Sequence, residues 1–296
     1  NERVFCADTC TKKGVPTMSS FSLCSRETGW RGLPTRGLKM KVTVCELGND
    51  TAQLKSDWQA LVEHVQAEAS DLVLLPEMPF YPWPAHTRQV DAYVWQASVD
   101  AHNTWLQHLP ELAPATVLGS RPVVLDGRRL NEGFVWLPGS GYEVAHHKYY
   151  LPDEAGFWEA SWYQRGDRNF AAIQAGPVRV GFLICTEMWF SEHARAYAKQ
   201  GIDLLVCPRA TPDSSADKWV AGGRTAAVVA GAYCLSSNRG GRDCLGAEWA
   251  GAGWIVEPEE GQVLGITSPL QPFLTCEIDP AVAKAAKNTY PRYVRE

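Results

Sequence analysis

A chain of 296 residues, 45% of them hydrophobic, has enough apolar material for a substantial core, either as one large α/β domain or as two smaller ones. The formal net charge of −5 argues against a nucleic-acid or other polyanion partner, and no run approaches the roughly 18 uninterrupted apolar residues of a membrane span. Nine cysteines, an odd count at irregular spacing, argue against a secreted disulfide framework and for reduced thiols in the cytoplasm.

Residues 1–39 are chemically foreign to the rest of the chain. They hold seven Lys or Arg against three Asp or Glu, leaving 21 against 30 in the remainder, and they show no sustained hydrophobic period. They lack the apolar core of a secretory signal, and Cys6, Cys10 and Cys24 have no histidine at metal-ligand spacing. The reading is a disordered or artefactual leader, with a 40–280 domain and a 281–296 tail behind it.

From Lys41 the chain alternates strand and helix patterns with short breaks, the signature of a layered α/β fold. A strand over 41–47 precedes an amphipathic helix over 51–69 and a continuous buried-type strand over 71–77. Four prolines, from Pro76 to Pro84, then force a loop. A second helix is expected over 86–109, then strands near 115–125, 129–137 and 142–151. A hairpin over 170–185 leads into a helix over 187–199, a strand over 203–208, a helix over 217–232 and a short strand over 234–238. A late hairpin over 252–266 and a strand over 273–278 complete two mixed sheets with helices on their outer faces.

Three apolar runs end in reactive side chains. Leu72–Leu75 leads to Glu77, the 143–147 stretch leads to Lys148, and Val178–Ile184 leads to Cys185 just before a helix-like segment. Each residue alone has a bland explanation: a strand-end acid, a solvated cation, an inert buried thiol. Together they fit a chemistry, because strand ends border the ligand crevice of open α/β sheets. A thiol is mostly protonated at neutral pH, so Glu77 suits the general base that takes its proton. As sulfur attacks a carbonyl carbon, an ammonium and a backbone amide stabilise the oxygen charge, roles for Lys148 and Thr186. No histidine is required. His146-His147 lacks a third ligand at recognisable spacing, so neither a metal nor a cofactor is expected.

The chain resembles the nitrilase, or carbon-nitrogen hydrolase, superfamily in the segments Leu74-Leu75-Pro76-Glu77, His147-Lys148-Tyr149-Tyr150-Leu151-Pro152 and Leu183-Ile184-Cys185-Thr186-Glu187-Met188-Trp189-Phe190. The resemblance covers about Met40 to Ile278 and implies an αββα sandwich. It also implies Glu77 as base, Lys148 as oxyanion stabiliser and Cys185 as the nucleophile forming a thioester. A second glutamate, seven residues before a glycine, matches Glu159 and Gly166. Lys148 is then its salt-bridge partner and the pair helps to hold a proton. Trp189, Trp158, Trp83 and Asn238 are expected near the pocket.

The superfamily spans several reactions. Thr186-Glu187 departs both from the Trp-Glu that usually follows the nucleophile in nitrilases and from the aromatic-Asp pair of many amidases and carbamoylases, while Trp189-Phe190-Ser191-Glu192 looks more like the amidase and carbamoylase branch. The expected activity is hydrolysis of a non-peptide linear amide or N-carbamoyl bond of a small molecule. Nitrile hydrolysis or a non-catalytic metabolite-binding relative is the alternative. The resemblance also implies a homodimer or larger homo-oligomer.

Overall fold

In β1 (Met40–Gly48) the pattern of sequence and the pattern of pairing explain each other. Val42 and Val44 face one way and Thr43 and Cys45 the other, the period of two that a strand imposes. The strand's first half pairs in parallel with β2 (Leu72–Leu74), Val42 opposite Leu72, and antiparallel with β13 (Phe273–Ile278), Met40 opposite Ile278. Its last residues pair in parallel with β9 (Tyr233–Arg242), Glu46 opposite Asn238. One strand thus belongs to both sheets. The structure is a computed structural model that describes residues 39–48, 50–242 and 248–294, so the leader expected over 1–39 lies outside the described residues apart from Lys39.

The first sheet continues from β2 to β3 (Thr116–Leu125), β4 (Arg128–Leu137) and β5 (Gly141–His147). The second runs from β6 (Ile173–Ala175) through β7 (Val178–Phe182) and β8 (Leu204–Arg209) to β9. Strands β10 (Glu248–Ala250) and β11 (Trp254–Val256) pair with β9, and β12 (Val263–Ile266) pairs with β11.

Val42, Val44, Leu72, Leu74 and Leu118 of the first sheet share one buried cluster with Val180, Phe182, Leu204, Val206 and Leu235 of the second. The alternate residues face outward. Cys45, Val73, Leu75 and Val117 pack on Leu54, Trp58, Leu61 and Val65 of α1 (Thr51–Glu68). Leu205, Cys207 and Cys234 pack with Ala194 and Tyr197 of α4 (Ser191–Lys199) and with Ala226, Ala227 and Ala230 of α5 (Ala216–Ala230). This is the αββα sandwich, helices outside and two sheets between.

Caps set the helix limits. Asp50 accepts the amide of Ala52 at the start of α1, and Asp91 accepts those of Tyr93 and Val94 at the start of α2 (Ala92–Trp105). The helix expected over 86–109 is therefore shorter, because Pro84 opens a separate 3₁₀ turn and a second 3₁₀ stretch with Pro110 inside follows Trp105. One short helix, α3 (Glu159–Trp162), was not expected. The residues read as a tail begin with α6 (Pro280–Ala286), whose Ala283 and Ala286 are buried, and Arg292 donates to Val228 O and to Glu259. Among the described residues, no helix is long and apolar enough to cross a membrane.

Candidate active site

The residues that ended the three apolar runs are brought together by the ends of β2, β5 and β7. Beyond β2, Leu75 still donates to Leu118 O, and the Glu77 amide then donates to Arg209 O at 3.1 Å, at the end of β8. Met78 comes next with φ of +41°, a region that costs a non-glycine residue roughly 1–3 kcal/mol unless its surroundings hold it. They do hold it. The Met78 amide donates to Ser120 Oγ at 3.2 Å, and the Phe80 amide donates to His102 Nε2 at 3.2 Å. The guanidinium of fully buried Arg239 donates to the carbonyls of Glu77 at 3.1 Å, of Tyr81 at 3.0 Å, and of Met78. Burial pushes His102 down to about 3, so its ring is neutral, accepting at Nε2 and donating from Nδ1 to Ser98 O.

Lys148 follows β5 directly. Its amide donates to Asn131 O and its carbonyl accepts from Gly166, both at 2.9 Å. Its ammonium is wholly buried between two carboxylates, 2.7 Å from Glu77 Oε1 and 2.6 Å from Glu159 Oε2. Asn131 Nδ2 donates to the same Glu77 oxygen at 2.8 Å, and the Tyr163 hydroxyl donates to Glu159 Oε2. Burial works against the charge on Lys148, but Glu159 and Glu77 outweigh it and hold the ammonium above its ordinary value. Burial pushes Glu159 up to about 7, although Lys148 pulls it down. Glu77 Oε2 and Glu159 Oε1 are buried and have no hydrogen-bond partner among the described residues.

Cys185 opens a 3₁₀ turn, Cys185–Trp189, with φ of +49°. The continuous helix expected from 187 is broken at Phe190, whose φ of −94° and ψ of +76° are non-helical, so α4 starts only at Ser191. Burial pushes the Cys185 thiol up, Glu77 adds to this, and Lys148 counters it. The thiol and Glu159 line one cavity of about 460 Å³, together with Thr186, Trp189, Phe157 and Trp219. Asp153, Glu154 and Lys218 line it too, so both signs of charge border the opening.

Three expected pocket residues do not line this cavity but adjoin residues that do, Trp83 against Phe157, Trp158 between Phe157 and Glu159, and Asn238 on Thr211. Trp83 is buried in an aromatic cluster and donates to Gly156 O. Trp158 is half-buried beneath the Arg88 guanidinium, 5.0 Å from its ring centre. Asn238 lies inside β9 and spends its amide on Thr211, accepting the backbone N–H at 3.0 Å and donating to Thr211 O and Oγ1. Sequence reasoning missed Asn131 and Tyr163. It also missed Trp219 as a wall, although its helix α5 was expected, because periodicity does not show which cavity a helix face borders. His146 and His147 have separate partners, Glu187 and Glu132.

The sandwich and its strand-end cluster define a class. The chain superposes on a carbon-nitrogen hydrolase from Helicobacter pylori with a TM-score of 0.76 at 19% identity, covering 86% of this chain and 94% of that one. The sequence model of the carbon-nitrogen hydrolase family matches residues 41–288, and the chain belongs to that family. Among relatives, it is 32% identical over 112 residues to the N-carbamoylputrescine amidase of Solanum tuberosum, 35% of this chain and 37% of the potato protein. It is 23% identical over 234 residues to the citrullinase of Francisella tularensis, 74% of this chain and 81% of that protein. The match thus spans little more than a third of the potato protein's length.

Proposed function

We propose that the protein hydrolyses a non-peptide carbon-nitrogen bond, in a linear amide or N-carbamoyl group of a small molecule, through a thioester on Cys185. The observation that carries this reading is the Lys148 ammonium buried between Glu77 and Glu159, with Glu159 and the Cys185 thiol on the wall of one cavity. The names of the potato and Francisella relatives support the bond type.

In this mechanism Glu77 takes the thiol proton as sulfur attacks the carbonyl carbon. Charge on the carbonyl oxygen is stabilised by Lys148 and the Thr186 amide. The C–N bond breaks, and the amine leaves with a proton returned by a carboxyl group. Water then gives a proton to Glu77 and attacks the thioester, the C–S bond breaks, and the proton returns to sulfur. Glu159, whose carboxyl burial holds above its ordinary value, helps to hold the proton between these steps. The reading extends to a cytoplasmic homo-oligomer that needs no cofactor, an extension resting on the sequence resemblance and cysteine usage.

Purified protein assayed against linear amides, N-carbamoyl compounds and nitriles tests this, with charged and neutral ends in each set because the opening carries both signs of charge. Amide or carbamoyl turnover is expected, with an acyl adduct on Cys185 in the intact mass. The Cys185→Ala variant is expected to lose about 10³-fold or more in kcat. Equal turnover by that variant would overturn the mechanism, and turnover of nitriles alone would overturn the bond assignment.

A further inference from the structure

The mechanism does not use Glu187, yet this side chain is fully buried and its carboxylate joins two parts of the site. Oε1 accepts the Tyr149 amide at 2.7 Å, and Tyr149 follows Lys148. Oε2 accepts the Ile184 amide at 2.9 Å, and Ile184 precedes Cys185. Both oxygens also face His146 Nε2, at 3.0 and 2.8 Å. Glu187 is not among the residues lining the cavity.

We infer that Glu187 is a positioning residue, whose single carboxylate ties the backbone beside Lys148 to the backbone beside Cys185 and so sets the approach of thiol and ammonium. The inference rests on the proposed hydrolase reading for its kinetic consequences. The β5 and β7 ends lie in different sheets, and no strand pairing joins them. No backbone hydrogen bond joins the two ends among the described residues either, so here the tie is made by side chains.

Hydrogen bonding also fixes the state of the partner ring. His146 Nδ1 faces Asn169 O at 3.0 Å while Nε2 faces the carboxylate, so each nitrogen meets an acceptor and both carry hydrogen. His146 is therefore an imidazolium opposite a carboxylate, the pairing that makes such a hydrogen bond strong. Glutamine at 187 would break this arrangement although it is the same size. Its one oxygen can serve one backbone N–H, and its NH₂ group would confront the other donor.

The test measures kcat and KM per alkylatable Cys185, and the pH midpoint of Cys185 alkylation by iodoacetamide, for wild type, Glu187→Gln and His146→Gln. In Glu187→Gln, kcat is expected to fall by about 10- to 100-fold, the scale of a misplaced reacting group, with KM changing much less. Its alkylation midpoint is expected to rise, because the thiolate loses the nearby ammonium. His146→Gln keeps both backbone bonds and is expected to retain most of kcat. A folded Glu187→Gln protein with wild-type kcat per thiol and an unmoved midpoint would overturn the inference. A kcat loss in His146→Gln as large as in Glu187→Gln would overturn it too, and if Glu187→Gln does not fold, a loss of about 10-fold or more in His146→Gln, which keeps both backbone bonds, overturns it. Should wild type hydrolyse no substrate, the hydrolase reading fails, while the alkylation midpoints of the variants still judge the tie.

Discussion

Glu159 illustrates how far a single residue's environment departs from its sequence neighbourhood. The spacing to Gly166 has a physical basis: a Cβ on Gly166 would lie 2.2 Å from the His147 carbonyl oxygen, while its N–H donates to Lys148 O. The segment therefore returns beside Lys148 only with glycine at 166, and Glu159 at its other end meets the ammonium. The spacing was legible; the protonation was not, because burial by residues distant in sequence raises the carboxyl from 4.5 to about 7. Across that window the folded chain holds more protons at this group than the unfolded chain, so its contribution to stability falls as pH rises. Urea unfolding of wild type and Glu159→Gln at pH 5 and pH 8 checks this. Wild-type stability relative to the variant is expected to be greater at pH 5 than at pH 8; a constant difference would mean that Lys148 keeps the carboxylate ionised throughout.

At the scale of elements, strand ends were easier to read than the turns beyond them. The runs before Glu77 and Cys185 are apolar and β-rich, so their ends stand out against Pro76 and the polar Thr186-Glu187, whereas 143–147 has only Val144 and Ala145 as apolar residues and ends in the His146-His147 pair. The turns depend instead on distant side chains. The Glu77 turn is held by Arg239 from β9, and the Cys185 turn is 3₁₀ because the Glu187 side chain folds back to the Ile184 amide. Arg239→Lys would keep the charge but lose the planar fork that reaches three carbonyls. If Glu77 is the base, that variant is expected to lose about 10- to 100-fold in kcat with a smaller change in KM. Steady-state kinetics on the folded variant decide it, and an unchanged kcat would show that Ser120 and His102 suffice to hold the turn.

The molecule as a whole depends on a junction that periodicity does not reveal. Strand lengths and the layered class came from local pattern, but one strand serving two sheets is a matter of pairing, and pairing partners lie up to about 240 residues apart. Where β1 passes from the first sheet to the second, Ser237 of β9 accepts the Cys45 amide at 2.9 Å and donates to Leu74 O at 2.6 Å. One buried hydroxyl thus satisfies a donor on β1 and an acceptor on β2 where these strands leave each other. Alanine at 237 would orphan the Cys45 amide and leave Leu74 O with only the Cys45 thiol at 3.4 Å, at no gain in packing, a cost of about 1–3 kcal/mol for the unpaired amide. Because β1 anchors both sheets, the loss should appear as a lower urea midpoint with an unchanged slope, the whole sandwich unfolding in one step. A split transition in Ser237→Ala, with one sheet melting first, would instead mean that the hydroxyl couples the two sheets and that the apolar layer around Leu74, Val206 and Leu235 does not hold them together by itself.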